Sequence, residues 1–199
     1  MAVAFDAAAS AQELAGDGII TVSITATGSN LAAFSGSGNT GDLGSLGSST
    51  YDGVAMAEMW DAVFETSDGH AGYRRAGIAS GLKDMVNTLV AAPGEHAAGV
   101  ITLTDVDQTT PVGTPATGTG TVSPATVTVA GVGPNDLVLG NLWCQMTPTI
   151  GANQTQRYTQ NTTSRFLRGD TQPDIATDEV SWTFTDGLWG LGAVAFKAA

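Results

Sequence analysis

Ile19-Ile20-Thr21-Val22-Ser23-Ile24-Thr25-Ala26 alternates apolar and hydroxyl-bearing side chains, with Val22, Ile24 and Ala26 falling on one face. A period of two is the signature of a β-strand with one face buried and the other wet. Turn chemistry follows at Thr27-Gly28-Ser29-Asn30, and Leu31 to Phe34 opens a second short strand. Farther along, Val100–Thr104, Ala125–Val129, Leu137–Cys144, Val180–Phe184 and Leu188–Phe196 read the same way, with a turn at Gly131-Val132-Gly133-Pro134-Asn135-Asp136. Two windows fit helix or strand equally. Met56, Met59, Trp60, Val63 and Phe64 recur at helical spacing, as do Leu82, Met85, Val86, Leu89 and Val90.

Composition supports the β reading. The 199 residues hold 26 glycines and only 13% charged residues, where about 25% is usual. Exposed helix faces are ordinarily filled with Glu, Lys, Arg and Gln, whereas Thr, Val, Ser and Gly dominate here. Hydrophobic residues make up 42%, enough for a core and too many for disorder. The glycines follow no three-residue period, which excludes collagen.

The expected architecture is therefore all-β: a single-domain, jelly-roll-like β-sandwich over residues 18–199, preceded by an Ala-rich N-terminal arm at 1–17. Eight to ten short strands, long Gly/Ser-rich loops and at most one short helix are expected. Ser35–Thr50 reads as a mobile surface loop anchored only by Leu43 and Leu46. Gln145–Asp178 reads as a polar excursion with one strand near Thr155–Tyr158. No internal repeat and no linker is read.

Charge restricts the partners. Nineteen acidic residues against seven basic ones give a formal charge of -12, and the first basic residue is Arg74. Phosphate-backbone binding lacks its electrostatic contribution, so nucleic acid is excluded, and an anionic membrane surface is disfavoured. A cationic partner surface fits better. The start Met1-Ala2-Val3-Ala4-Phe5-Asp6 carries no basic, apolar signal pattern, so synthesis in the host cytoplasm without a signal peptide is expected.

No catalytic, cofactor-binding or metal residue is assigned. Cys144 ends an apolar run and reads as a buried thiol, and neither His70 nor His96 lies in a context that would make it a base. Two histidines and one cysteine do not make a zinc site. Gly36-Ser37-Gly38-Asn39-Thr40-Gly41 matches the dinucleotide pattern literally, but Asp42 and more Gly and Ser follow where a helix is required. Asp105 and Asp107 would share a strand face, and hold a cation, only if Thr104–Gln108 stays extended. A turn capping its own backbone N–H groups is the expectation there.

Three segments carry a resemblance: Val106-Asp107-Gln108-Thr109-Thr110-Pro111-Val112-Gly113, Gly151-Ala152-Asn153-Gln154-Thr155-Gln156-Arg157 and Leu188-Trp189-Gly190-Leu191-Gly192-Ala193-Val194-Ala195-Phe196-Lys197. With Tyr51–Met56 and Ala92–His96 they resemble small β-sandwich virion structural proteins of tailed bacteriophages, decoration-like or fibre-associated. The resemblance spans most of residues 18–197 and contains no catalytic residues. It implies a non-enzymatic virion protein on the capsid surface, a decoration (cement) protein partnered by the major capsid protein and neighbouring copies of itself. The alternative it leaves open is a tail, fibre or head-spike module that binds host cell-surface glycan, with Trp143, Trp182, Trp189 and Tyr158 as stacking candidates.

Overall fold

The computed structural model describes residues 1–14, 16–41, 47–64, 68–90, 94–173 and 178–199, and among these the chain is all-β with no helix. The N-terminal half holds β1 (Ala4–Leu14), β2 (Ile19–Ala26), β3 (Ala32–Thr40), β4 (Ser48–Tyr51), β5 (Val54–Ala55), β6 (Ala57–Phe64), β7 (Asp68–Ala76), β8 (Gly81–Thr88) and β9 (Glu95–Thr104). The C-terminal half holds β10 (Ala116–Gly120), β11 (Ala125–Thr128), β12 (Leu137–Cys144), β13 (Thr149–Ile150), β14 (Thr155–Asn161), β15 (Phe166–Pro173), β16 (Glu179–Thr183) and β17 (Trp189–Phe196). They form four antiparallel sheets. An inner N sheet has the order β1-β9-β3-β7-β6 and an outer N sheet β2-β8-β4-β5. An inner C sheet runs β10-β17-β12-β15-β14 and an outer C sheet β11-β16-β13.

The two halves have one topology. Replacing β1, β2, β3, β4, β6, β7, β8 and β9 by β10, β11, β12, β13, β14, β15, β16 and β17 converts each N sheet order into its C counterpart, β5 alone lacking a partner. With β6 set aside as an added edge strand, the N half has jelly-roll order, β1-β9-β3-β7 against β2-β8-β4-β5. Three apolar cores make the stack four layers deep. One lies between the inner sheets (Phe34, Trp60, Ile101, Leu139, Trp143, Phe196). One lies behind the inner N sheet (Ile20, Val22, Tyr51, Tyr73, Met85) and one behind the inner C sheet (Val127, Leu142, Val180, Trp182, Leu191). The central core draws on both halves, so they form one packed unit.

Register shows how closely the halves correspond. Gly36 faces Gly72 and Gly99 within the inner N sheet; Asn141 faces Gly169 and Gly192 within the inner C sheet. A β-bulge interrupts β6 between Glu58 and Trp60, and another interrupts β14 between Gln156 and Tyr158. Trp60 thereby lands opposite Gly72, and Tyr158 opposite Gly169. Asn30 and Asn135 both take positive φ, at 48° and 73°, just before β3 and β12. Each carbonyl accepts an N–H that leads into the other half: Val3 donates to Asn135 (2.9 Å) and Val106 to Asn30 (3.1 Å). Such reciprocity is what a two-fold axis imposes on an interface.

The interface itself is aromatic rings seated on glycines. A β-carbon added at Gly72 or at Gly192 would come closer than 3.0 Å to Trp60, and one added at Gly169 or Gly99 would do the same to Tyr158. Trp60 thus lies over one glycine of its own half and one of the other, and Tyr158 repeats the arrangement from the opposite side. On the axis itself β3 faces β12. Gly38 makes room for Trp143, Gly36 for Asn141 and Tyr158.

Several expectations are corrected. The N-terminal arm is largely β1, paired with β9 from Ala4 to Leu14, because its alanines are small enough to lie against the sheet as an edge. Ser35–Thr40 is no loop but the central strand of the inner N sheet, buried as far as Asn39; residues 42–46 of that stretch lie outside the described residues. The helical spacing from Met56 to Phe64 belongs to β6, and that from Leu82 to Val90 largely to β8. The polar run after Gln145 holds β13, β14 and β15, the last buried from Leu167 to Gln172. The chain also repeats: among the described residues seventeen strands occur where eight to ten are expected from the sequence.

The packing makes a direct prediction. Gly99→Ala and Gly192→Ala should each lower unfolding free energy in urea by about 1–3 kcal/mol, the usual cost of overpacking a filled core. Glycine in a strand is otherwise the less stable choice, so neutral or stabilising outcomes at both positions would contradict this interface.

Candidate functional site

The residues singled out for chemistry are distributed through the cores. Cys144 is buried, and burial pushes its thiol up to about 12, so it is a structural thiol and no nucleophile. His70 and His96 are both fully buried, with neither ring nitrogen hydrogen-bonded, and desolvation lowers each to about 4. His70 packs edge-on against Phe64, ring centroids 5.8 Å apart. Both are neutral packing residues at physiological pH.

Asp105 and Asp107 do not share a strand face. β9 ends at Thr104, and Asp105 turns the chain with φ of 59°. The Asp107 carboxylate accepts N–H bonds from Thr109 (2.7 Å) and Thr110 (3.1 Å) and the Thr110 hydroxyl (3.1 Å), which hold its pKa below the ordinary carboxylate range. It caps its own turn. Among the described residues no three His, Cys, Asp or Glu side chains are grouped to hold a metal ion.

The stacking candidates are equally committed. Trp143 and Trp182 are fully buried, Tyr158 is 4% exposed and Trp189 8%. Trp60, Tyr51 and Tyr73 are buried as well, so every tryptophan and tyrosine of the chain lies inside. A sugar ring stacks on an exposed ring face, and none of these seven offers one.

Buried polar groups cluster around the inner sheets instead. Asp68 and Arg165 form a two-pronged ion pair, Nε to Oδ1 at 2.9 Å and a terminal nitrogen to Oδ2 at 2.8 Å, and Trp143 Nε1 also donates to Asp68 Oδ1 (3.3 Å). The Tyr158 hydroxyl donates to Asn141 Oδ1 (2.8 Å), whose amide donates to the Ser37 carbonyl (3.2 Å). Asp170 lies sealed behind the inner C sheet. Gln154 donates to its Oδ2 (2.8 Å), yet burial dominates and raises it to about 7.

What faces solvent in an organised way is the pair of outer sheets. On the outer N sheet a shallow groove runs between the Asp52–Gly53 turn and Leu82, Lys83, Asp84 and Val86. On the outer C sheet a second groove runs between Gly151–Gln154 and Glu179, Ser181 and Thr183. The register puts them at corresponding places in the two halves, with different linings, Val86 in the first standing where Ser181 stands in the second. Ser23 pairs with Asp84 as Thr128 pairs with Glu179, and Asp52 and Asn153 both turn with positive φ. The sequence assigns no site to these residues, although Asp52, Gly53 and Gly151–Gln154 lie in segments that carry the resemblance. The available signal is Ile20-Thr21-Val22-Ser23-Ile24 against Ala125-Thr126-Val127-Thr128-Val129, with Gly28/Asn30 against Gly133/Asn135, all at one spacing of 105 (125 - 20 and 135 - 30).

No protein-family model, curated protein or solved structure matches the chain. The class is defined by the fold itself: two equivalent jelly-roll halves stacked through their inner sheets.

The buried titratable groups set opposing pH dependences. His70 and His96 carry folded pKa values near 4 against 6.5 unfolded, so they add stability as pH rises from about 4 to 6.5. Asp170 is raised to about 7 from 3.8, so it removes stability as pH rises across that interval. Asp170→Asn should therefore match the native chain near pH 4 and exceed it increasingly up to pH 7–8, measured by urea unfolding across pH. A difference that does not change with pH would contradict a neutral buried acid.

Proposed function

We propose that this protein is a non-enzymatic virion structural protein of a tailed bacteriophage, a capsid decoration protein that binds the major capsid lattice and stabilises the head. The observation that carries the reading is the allocation of side chains. Tryptophan, tyrosine and histidine are spent on the cores, and the solvent-facing strands β2 and β16 carry Thr and Ser, with Asp84 and Glu179 among them and Val54, Leu82 and Lys83 exposed on the outer N sheet. A surface of that kind recognises a repeated partner by shape, hydroxyl contacts and charge. The four-layer stack is stiff enough to hold such faces in fixed relation, and a charge of -12 favours a basic partner surface. The resemblance of the three quoted segments to phage virion proteins points the same way. The glycan alternative has its stacking candidates Trp143, Trp182, Trp189 and Tyr158 in the core.

Cryo-electron microscopy of the source virions, with and without the gene, tests the proposal. Density at regular capsomer positions that disappears on deletion, with heads that release DNA at lower temperature, is the expected result. Heads unchanged in density and heat resistance would overturn it.

A further inference from the structure

We infer that the N half holds an internal hydration site: ordered water molecules lie between its two sheets, bound by Ser37, Asn39, Asn87 and His96. The site is independent of the shell reading above and belongs to what the two halves do not share.

Alternation along β3 turns Gly36 and Gly38 toward the inner C sheet, and Ser35, Ser37 and Asn39 toward the outer N sheet. Opposed residues of an antiparallel pair point to one face. Ala98 therefore stands beside Ser37 and His96 beside Asn39 on β9, with Ala71 and Gly69 beside them on β7. Ala71 and Ala98 belong to the core behind the inner N sheet, which fixes that face. From the facing sheet Asn87 of β8 donates to the Ser35 hydroxyl (2.8 Å). Asn39 leans over Gly69, where an added β-carbon would lie 2.8 Å from its Oδ1, and so away from His96 on the other flank.

The C half shows what this layer contains when apolar side chains fill it. By register Ser37 corresponds to Leu142, Asn39 to Cys144, Ala98 to Leu191, His96 to Trp189 and Asn87 to Trp182, all buried in one apolar core. In the N half these adjoining positions are small or polar. Ser37, Asn39, Asn87 and His96 are each at most 1% exposed. Yet Ser37 Oγ, Asn39 Oδ1, Asn87 Oδ1 and both ring nitrogens of His96 have no hydrogen-bond partner among the described residues. Folded proteins pair buried polar atoms with protein groups or with bound water.

The chemistry selects water. All five atoms belong to uncharged groups, since burial keeps His96 neutral, with one ring nitrogen donating and the other accepting. A carboxylate or phosphate would meet no opposite charge among them, and an apolar ligand would leave them unpaired. Glu13, the acid opposite His96 on β1, already accepts the N–H groups of Asp17 (2.9 Å) and Gly18 (3.0 Å). Side chains on one face of β3 recur about every 7 Å, too far for a direct hydrogen bond and short enough for a bridging water. An internal water makes about three hydrogen bonds, so the five atoms call for about two waters. The outer N sheet is thus seated on water where the outer C sheet is seated on indole rings.

A high-resolution crystal structure of the full-length protein tests the site, with water-selective nuclear Overhauser spectra in solution as a second readout. About two ordered waters are expected, each about 2.7–3.2 Å from at least two of the five atoms. Bound-water cross-peaks to the methyl groups of Ala71 and Ala98 should accompany them. Polar atoms bonded directly to one another without water, density for a larger molecule, or alanine methyls without a water signal would overturn the inference.

Discussion

Everything in this fold depends on the close approach of β3 to β12, which is possible only because one of the two strands is nearly free of side chains where the other is bulky. Gly36 and Gly38 leave the space that Asn141 and Trp143 occupy. Trp60 and Tyr158 then close the interface from either side, each lying on a glycine of both inner sheets. Two sheets packed face to face normally interdigitate side chains of comparable size. Here the fit is ring against bare backbone, and it brings the halves together tightly enough to bury an ion pair, Asp68 with Arg165, between them.

The axis also explains an asymmetry. A residue lying on a two-fold axis faces its own equivalent, so a true homodimer would have to place like against like. At these positions the chain pairs unlike residues: Gly38 with Trp143, Gly36 with Asn141, Asp68 with Arg165. The register makes each of these an equivalent pair. Two tryptophans would overfill the site, and two buried aspartates would repel without compensation. Joining the halves in one chain removes that constraint, because each can then specialise to fit the other.

β2, β11 and β16 of the outer sheets were legible in the sequence, as were the apolar runs of β9, β12 and β17 in the inner ones, whereas β3, β7 and β15 were not, for one physical reason. β2 has one wet face, so Ile20, Val22, Ile24 and Ala26 alternate with exposed residues as the pattern requires. β3, β7 and β15 are covered on both faces, so alternation vanishes. Under large rings those strands must also be made of Gly, Ser and Ala. Small residues without periodicity look like a loop, which is how Ser35–Thr40 misleads. The repeat was hidden similarly, since its equivalent core positions trade size across the interface. What keeps its spacing is the Thr-Val-Ser/Thr pattern and the turn residues Gly28/Gly133 and Asn30/Asn135. As for the candidate site, the tryptophans pointed inward because they lock the layers together, and Asp84 and Glu179 show their kinship only through strand register.

The most direct measurement of the two-fold account is the urea unfolding of Gly38→Trp, of Trp143→Gly, and of the exchange variant carrying both. If positions 38 and 143 are equivalents facing each other across an axis, the first overfills the space, the second empties it, and the exchange restores one indole to one site. The account predicts that the exchange variant is more stable than the sum of the single losses allows, by a coupling of about 1–3 kcal/mol. Losses that simply add would contradict it.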